Sequence, residues 1–125
     1  MSGYSDVKAV TITADTVALD ADGISVAASV GNNAALTIGG ALASGGAVAL
    51  SHGRIVTILS AGNDAAKSFT VVGTDVNGDS QSESITGANA GTATGTKYFK
   101  TIASITAVGN PAGNVSAGVN ASAAD

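Results

Sequence analysis

Apolar and polar positions alternate along most of the chain in short runs, and Gly, Asn and Asp separate the runs. Val7 to Thr13 (VKAVTIT) alternates and is rich in β-branched residues, so it reads as a strand. The run Asp20-Ala21-Asp22-Gly23 is a turn signal, followed by a second strand from Ile24 to Val30. Gly31-Asn32-Asn33 turns the chain into a short third strand, Ala34 to Ile38, and Gly39 to Gly46 reads as a flexible connection. A helix through Ala41 to Ala43 would be cut short by the glycine pairs on both sides.

The second half is patterned more sharply. Arg54 to Ser60, Ser68 to Thr74 and Ser80 to Thr86 are strands, with a loop over Ala61 to Asp64. The last two strands flank Asp75 to Asp79, where Asn77-Gly78 signals a hairpin because both residues tolerate positive φ. A small-residue loop over Gly87 to Gly95 precedes the longest β-favouring run, Lys97 to Val108, with a bend or bulge expected near Ala103-Ser104. Gly109 to Asn114 turns the chain into a last strand, Val115 to Val119. About eight strands with closely spaced turns and no convincing helix predict an all-β fold, a β-sandwich or jelly-roll-like single domain. The expected organisation is an N-terminal arm over 1–6, the domain over 7–119 and a flexible tail over 120–125.

Composition narrows the functional classes. Apolar residues make up 45% of 125 residues, yet only 3% are aromatic, so the core is built from small side chains and buries little area per residue. This predicts a marginal isolated domain that is completed by burial against other copies or a larger surface. Net charge is −4, and Lys8, Arg54, Lys67, Lys97 and Lys100 are scattered, without the basic stripe that neutralises phosphates, which argues against nucleic acid as a partner. No cysteine is present, which excludes disulfides and thiolate metal sites. Apolar stretches are interrupted well short of a membrane span, and Met1 to Asp6 lacks the features of a signal peptide, so assembly in a cytoplasm is expected and no membrane partner.

Residues that could carry chemistry read better as structure. His52 is the only histidine, and a neighbouring serine means little in a chain so rich in serine. Asp75 to Asp79 imitates the first half of a calcium loop, but the twelfth position is Thr86 where a bidentate Glu is required, and Glu83 stands at the ninth. Asp20 and Asp22 form a carboxylate pair in a solvated turn, with no apolar pocket to separate their pKa values. Gly91 to Lys97 approaches a phosphate loop but leads into a strand. No catalytic, cofactor or metal site is expected, and no small-molecule substrate. Tyr98 and Phe99 are adjacent on a strand and point to opposite faces, one into the core and one free to anchor a partner. Phe69 fits an inward face. His52, Tyr98, Phe99 and Lys100 are the candidate contact residues.

The stretch from Arg54 to Val119 carries four marks in order: a strand ending in SAGND, then FTVVGTDVNG, then ESITGANAG, then TGTKYFKTI. With these marks the stretch resembles small tailed-bacteriophage virion proteins of the capsid decoration, or cement, type. The resemblance covers about half of the chain and implies a non-enzymatic structural protein of the capsid surface. Its implied partners are the major capsid protein and itself, as a homotrimer. A tail- or adaptor-associated virion protein and a carbohydrate- or surface-binding β-sandwich module are the competing readings.

Overall fold

The computed structural model describes residues 19–124, so the expected arm over 1–6, the strand over 7–13 and Asp125 lie outside the described residues. Among the described residues there are seven strands and no helix. They are β1 (Asp20–Ala28), β2 (Ala43–Ser44), β3 (Ala47–Ser60), β4 (Ser68–Thr74), β5 (Ser80–Thr86), β6 (Thr92–Val108) and β7 (Val115–Ala124). All pairings are antiparallel, in the order β1-β7-β3-β6-β4-β5, with β2 paired to β3. The all-β, β-sandwich-like single domain expected from the sequence is the fold observed.

The register shows how one continuous sheet makes two layers. β6 runs antiparallel to β3 from Leu59↔Thr92 to Val48↔Ile102, then antiparallel to β4 from Thr74↔Thr101 to Ser68↔Val108. Ser60 and Ser68 are joined by a short loop, so both ends of the 17-residue β6 return to the same end of the molecule. β6 therefore folds over at a corner and passes from one layer to the other, as corner strands do where a bulge or bend allows it. The register slips between Ala49 and Arg54 of β3, and between Val72 and Gly73 opposite Ala103. The second slip is the bulge expected near Ala103-Ser104. It requires a residue without a side chain opposite, because a Cβ at Gly73 would collide with the Thr101 carbonyl.

Burial follows this layering. Ile24, Val56, Ile58, Phe99, Ala117 and Val119 come from the layer β1-β7-β3-β6, and Phe69, Val71, Ile85, Ile105 and Ala107 from the layer β6-β4-β5. Phe69 stands opposite Ile85 on one side and Ala107 on the other, so three inward side chains meet across adjacent strands. Only two phenylalanines occur in this core; aliphatic side chains fill the rest. One open margin between the layers is closed by side chains and not by a ladder. Gln81 Nε2 donates to the Tyr98 carbonyl at 2.6 Å, and Glu83 accepts from Thr96 Oγ1 at 2.9 Å and from the Lys97 amide at 3.3 Å.

Several local expectations differ from the structure. Asp20 to Gly23 is not a free turn: it opens β1, and the register shift between Asp20 and Ser25 absorbs these residues as an irregularity against β7. Gly39 to Gly46 is not a featureless connection, because β2 and β3 form a hairpin whose two turn residues, Gly45 and Gly46, have φ of 63° and 82°. Ala34 to Ile38 forms no regular strand; it makes one isolated bridge, Ala35↔Thr106, and hydrogen-bonds along the β6 edge that β3 leaves uncovered. β3 begins at Ala47, seven residues before the expected Arg54, because the alanine-rich lead-in carries no β-branched signature apart from Val48. The expected loose tail from Asn120 continues β7 to Ala124, with Gly53↔Ala124 and Arg54↔Ala123 in register.

Candidate interaction surface

Two places on the domain concentrate polar side chains with long-range partners. The first is the end where three loops meet. Asp64, in the β3–β4 loop, is fully buried. Its Oδ1 accepts from the Ala112 amide at 2.7 Å, its own amide donates to the Ala88 carbonyl at 2.9 Å, and its carbonyl accepts from Lys67 at 2.9 Å. The amides of Ala61 and Ala90 complete the junction, donating to Asn114 and Gly62 at 3.0 and 2.7 Å. Loops 61–67, 87–91 and 109–114 are thus tied together around one carboxylate. Asp64 Oδ2 and Ser60 Oγ are buried there without a hydrogen-bond partner. The sequence reading missed Asp64, since an Asp in a Gly-Asn-Asp loop carries no signal that distinguishes a buried clamp from a solvated turn.

The second place is the corner, where the sequence-derived candidates come together. The β3 irregularity over 50–53, half-buried His52 among it, lies opposite half-buried Lys100 on the adjacent strand. Tyr98 and Lys100 share a face of β6 by alternation, and both are half-buried. Phe99 points the other way and is fully buried, so of the adjacent aromatic pair the core takes Phe99, and its place among the contact candidates falls away. A Cβ at Gly53 would touch Val76 Cγ1 at 2.6 Å, the Ala124 carbonyl at 3.1 Å and Tyr98 Cβ at 3.2 Å, so the hairpin tip and the end of β7 close on this corner.

Arg54 secures the corner from behind. Its Nη2 and Nε donate to the Asn120 carbonyl at 2.7 and 3.3 Å, where β7 bulges between its pairings at Ala123 and Val119. Burial pushes the Arg54 guanidinium below its usual pKa, and the Asp20 carboxylate draws it back up. Asp20 therefore takes part in the electrostatics of this strand triplet, while Asp22 is exposed.

The calcium-loop imitation resolves as a turn. Asp75 Oδ1 accepts from the amides of Asn77 at 2.8 Å and Asp79 at 3.0 Å, so this oxygen is turned inward on the backbone. Gly78 donates to the Asp75 carbonyl and has φ of 85°, whereas Asn77 is not left-handed. The loop is a type I turn closed by a glycine bulge and not the two-residue turn with both residues left-handed. Glu83 is committed to β6. Among the described residues no group of three His, Cys, Asp or Glu gathers as metal ligands, and no helix is long and apolar enough to cross a membrane.

Comparison with family models, curated proteins and solved structures returned no significant match.

Proposed function

We propose that the chain is a bacteriophage virion structural protein, and specifically a capsid decoration protein that binds the outer surface of the shell formed by the major capsid protein. It associates with other copies of itself and acts without catalysis, in the virion, after assembly in the host cytoplasm. The observation that carries the reading is where the resembling motifs fall. SAGND supplies the buried Asp64, ITGANAG supplies the loop that meets it, and the loop after β6 supplies Ala112. These residues of the chain are spent on clamping loops together. That is the expenditure of a rigid building block, in which conserving shape matters more than presenting a reactive group.

The half-buried corner residues Tyr98, Lys100 and His52 form the capsid-facing contact in this reading, with the Tyr98 ring as its anchor, since tyrosine is enriched at interfaces. The test is immunogold labelling of particles of the phage whose genome encodes the chain, with mass spectrometry of gradient-purified heads and tails. Label over the head surface supports the proposal. Label on the tail supports the tail- or adaptor-associated reading, and absence from both fractions refutes a virion role.

A further inference from the structure

The turn between β4 and β5 places a reactive pair at its tip. Gly78 has φ of 85°, in the left-handed region, so the turn favours glycine there. The residue before it is asparagine, and of the eight asparagines in the chain Asn77 alone is followed by glycine. An asparagine side chain is long enough for its amide carbon to close a five-membered ring with the next backbone nitrogen. A side chain on that next residue hinders the approach, and the proline that follows Asn110 has no N–H to lose. Glycine leaves the approach open, and Asn77 and Gly78 are both exposed to water.

The folded turn holds this ring closure back. The nucleophile is the Gly78 nitrogen, and its N–H donates to the Asp75 carbonyl at 3.1 Å. The Asp75 carboxylate fixes the turn on either side, with Oδ1 accepting from the Asn77 amide at 2.8 Å and the Asp79 amide at 3.0 Å. The Asp75 amide in turn donates to the Asp79 carbonyl at 2.9 Å. Exposed loops belong to the low-stability parts of a fold that open locally, so the reaction runs from the opened tip and its rate follows the strength of these bonds.

We propose that Asn77-Gly78 is a self-modification site, latched by Asp75, whose co-reactant is water. In the opened tip the Gly78 nitrogen gives up its proton and bonds to Asn77 Cγ. The bond from Cγ to the side-chain nitrogen breaks, and that nitrogen leaves with the proton as ammonia. The cyclic imide then adds water. Breaking the bond from the Gly78 nitrogen to Cγ gives aspartate at 77; breaking its bond to the backbone carbonyl carbon gives isoaspartate. No electron acceptor or donor enters either step.

Both products alter the corner. Each adds a carboxylate between Asp75 and Asp79, and like charges this close repel. Isoaspartate also lengthens the main chain by a methylene, which breaks the spacing that lets Asp75 Oδ1 reach the amides of Asn77 and Asp79 together. Val76 precedes the modified residue. Its Cγ1 lies 2.6 Å from where a Gly53 Cβ would stand, and Tyr98 Cβ lies 3.2 Å from the same point. The tip thus carries an age-dependent change into the surface beside Tyr98, whether or not that surface meets a capsid.

The test is incubation of the purified chain in mildly alkaline buffer, followed by peptide mapping with mass spectrometry. Fragment masses give the rate at each asparagine, and electron-transfer fragmentation separates isoaspartate from aspartate. The expected result is conversion at Asn77 ahead of every other asparagine. In Asp75→Ala conversion should run roughly tenfold faster, with the rate at Asn114 unchanged. Asp75→Asn keeps an acceptor oxygen and should stay close to wild type. Conversion at Asn77 no faster than at the other asparagines overturns the site. Equal rates in wild type and Asp75→Ala overturn the latch, and equal acceleration at Asn114 overturns it too, since the effect is then global unfolding. Anion exchange resolves the converted protein by its added charge, and its Asp79 amide should exchange hydrogen faster than in the unconverted form. Unchanged exchange there overturns the loosening of the tip.

Discussion

Asp64 offers the sharpest test of how the loop end is held. Asp64→Ala removes the acceptor for the Ala112 amide. A hydrogen bond to a charged group contributes about 1.5–3 kcal/mol, and leaving the part-buried Ala112 N–H without its acceptor costs at the low end of about 1–3 kcal/mol. Against this stands a gain, because Oδ2 is buried without a partner and its removal relieves a desolvation penalty of about 1–3 kcal/mol. The balance is a net loss of about 2 kcal/mol. Asp64→Asn keeps an oxygen for Ala112 and replaces the partnerless oxygen with an amide nitrogen, so it should fall within about 1 kcal/mol of wild type. Urea unfolding followed by far-UV circular dichroism suits a chain without tryptophan. At a slope of about 1–3 kcal/mol per molar urea, Asp64→Ala should lower the midpoint by roughly 1 M. Hydrogen exchange at Ala112 should rise in Asp64→Ala and not in Asp64→Asn. An Asp64→Ala midpoint equal to wild type, or an Asp64→Asn midpoint as low as that of Asp64→Ala, would refute the clamp.

Other outcomes follow from the same geometry. Gly73→Ala forces a Cβ into the Thr101 carbonyl at the β6 bulge and should cost about 1–3 kcal/mol or more, read as a lowered urea midpoint. Arg54→Ala removes the guanidinium from the Asn120 carbonyl; stability should fall by about 1–2 kcal/mol, with faster hydrogen exchange over 120–124 than elsewhere. Phe99→Ala empties a fully buried site and should cost about 3–5 kcal/mol, whereas Tyr98→Ala, at the half-buried corner, should leave the unfolding midpoint little changed and weaken binding to capsids in a co-sedimentation assay. Millimolar Ca²⁺ should leave the thermal midpoint unmoved, since Asp75 Oδ1 and the Glu83 carboxylate already accept backbone amides; a rise would show that these groups turn outward to a cation.

Strands were legible where residues are β-branched and turns sharply marked. β4 and β5 have the bounds expected from SFTVVGT and SQSESIT, and the β6 bulge falls beside Ala103. The misses share a cause: small residues do not declare their conformation. Ala47 to Gly53 and Asn120 to Ala124 are strands because neighbouring strands offer them hydrogen bonds, and no local preference announces it. Gly45-Gly46 signals flexibility in the sequence, whereas the pair makes a tight turn. At the corner, alternation separated Tyr98 from Phe99 but could not say which turned inward. The irregularity that sets residues 50–53 of β3 opposite Lys100 is not encoded in residue pattern. Asp64 and Arg54, whose partners stand 48 and 66 residues away in the chain, were out of reach of any local reading.

The position of β7 bears on how the protein comes into being. It is laid between β1 and β3, although it is the last of the described strands to be synthesised. While the ribosome has released only the residues before Val115, β1 and β3 each lack the neighbour that separates them, and Val56 and Ile58 lack the covering strand. The nascent chain then holds two waiting edges at once, a period in which copies on adjacent ribosomes can pair wrongly. Closing such long-range contacts is also intrinsically slow. The layer carrying β1 is therefore completed after translation has passed Val115, and yield in a producing cell should depend on how quickly that last strand inserts.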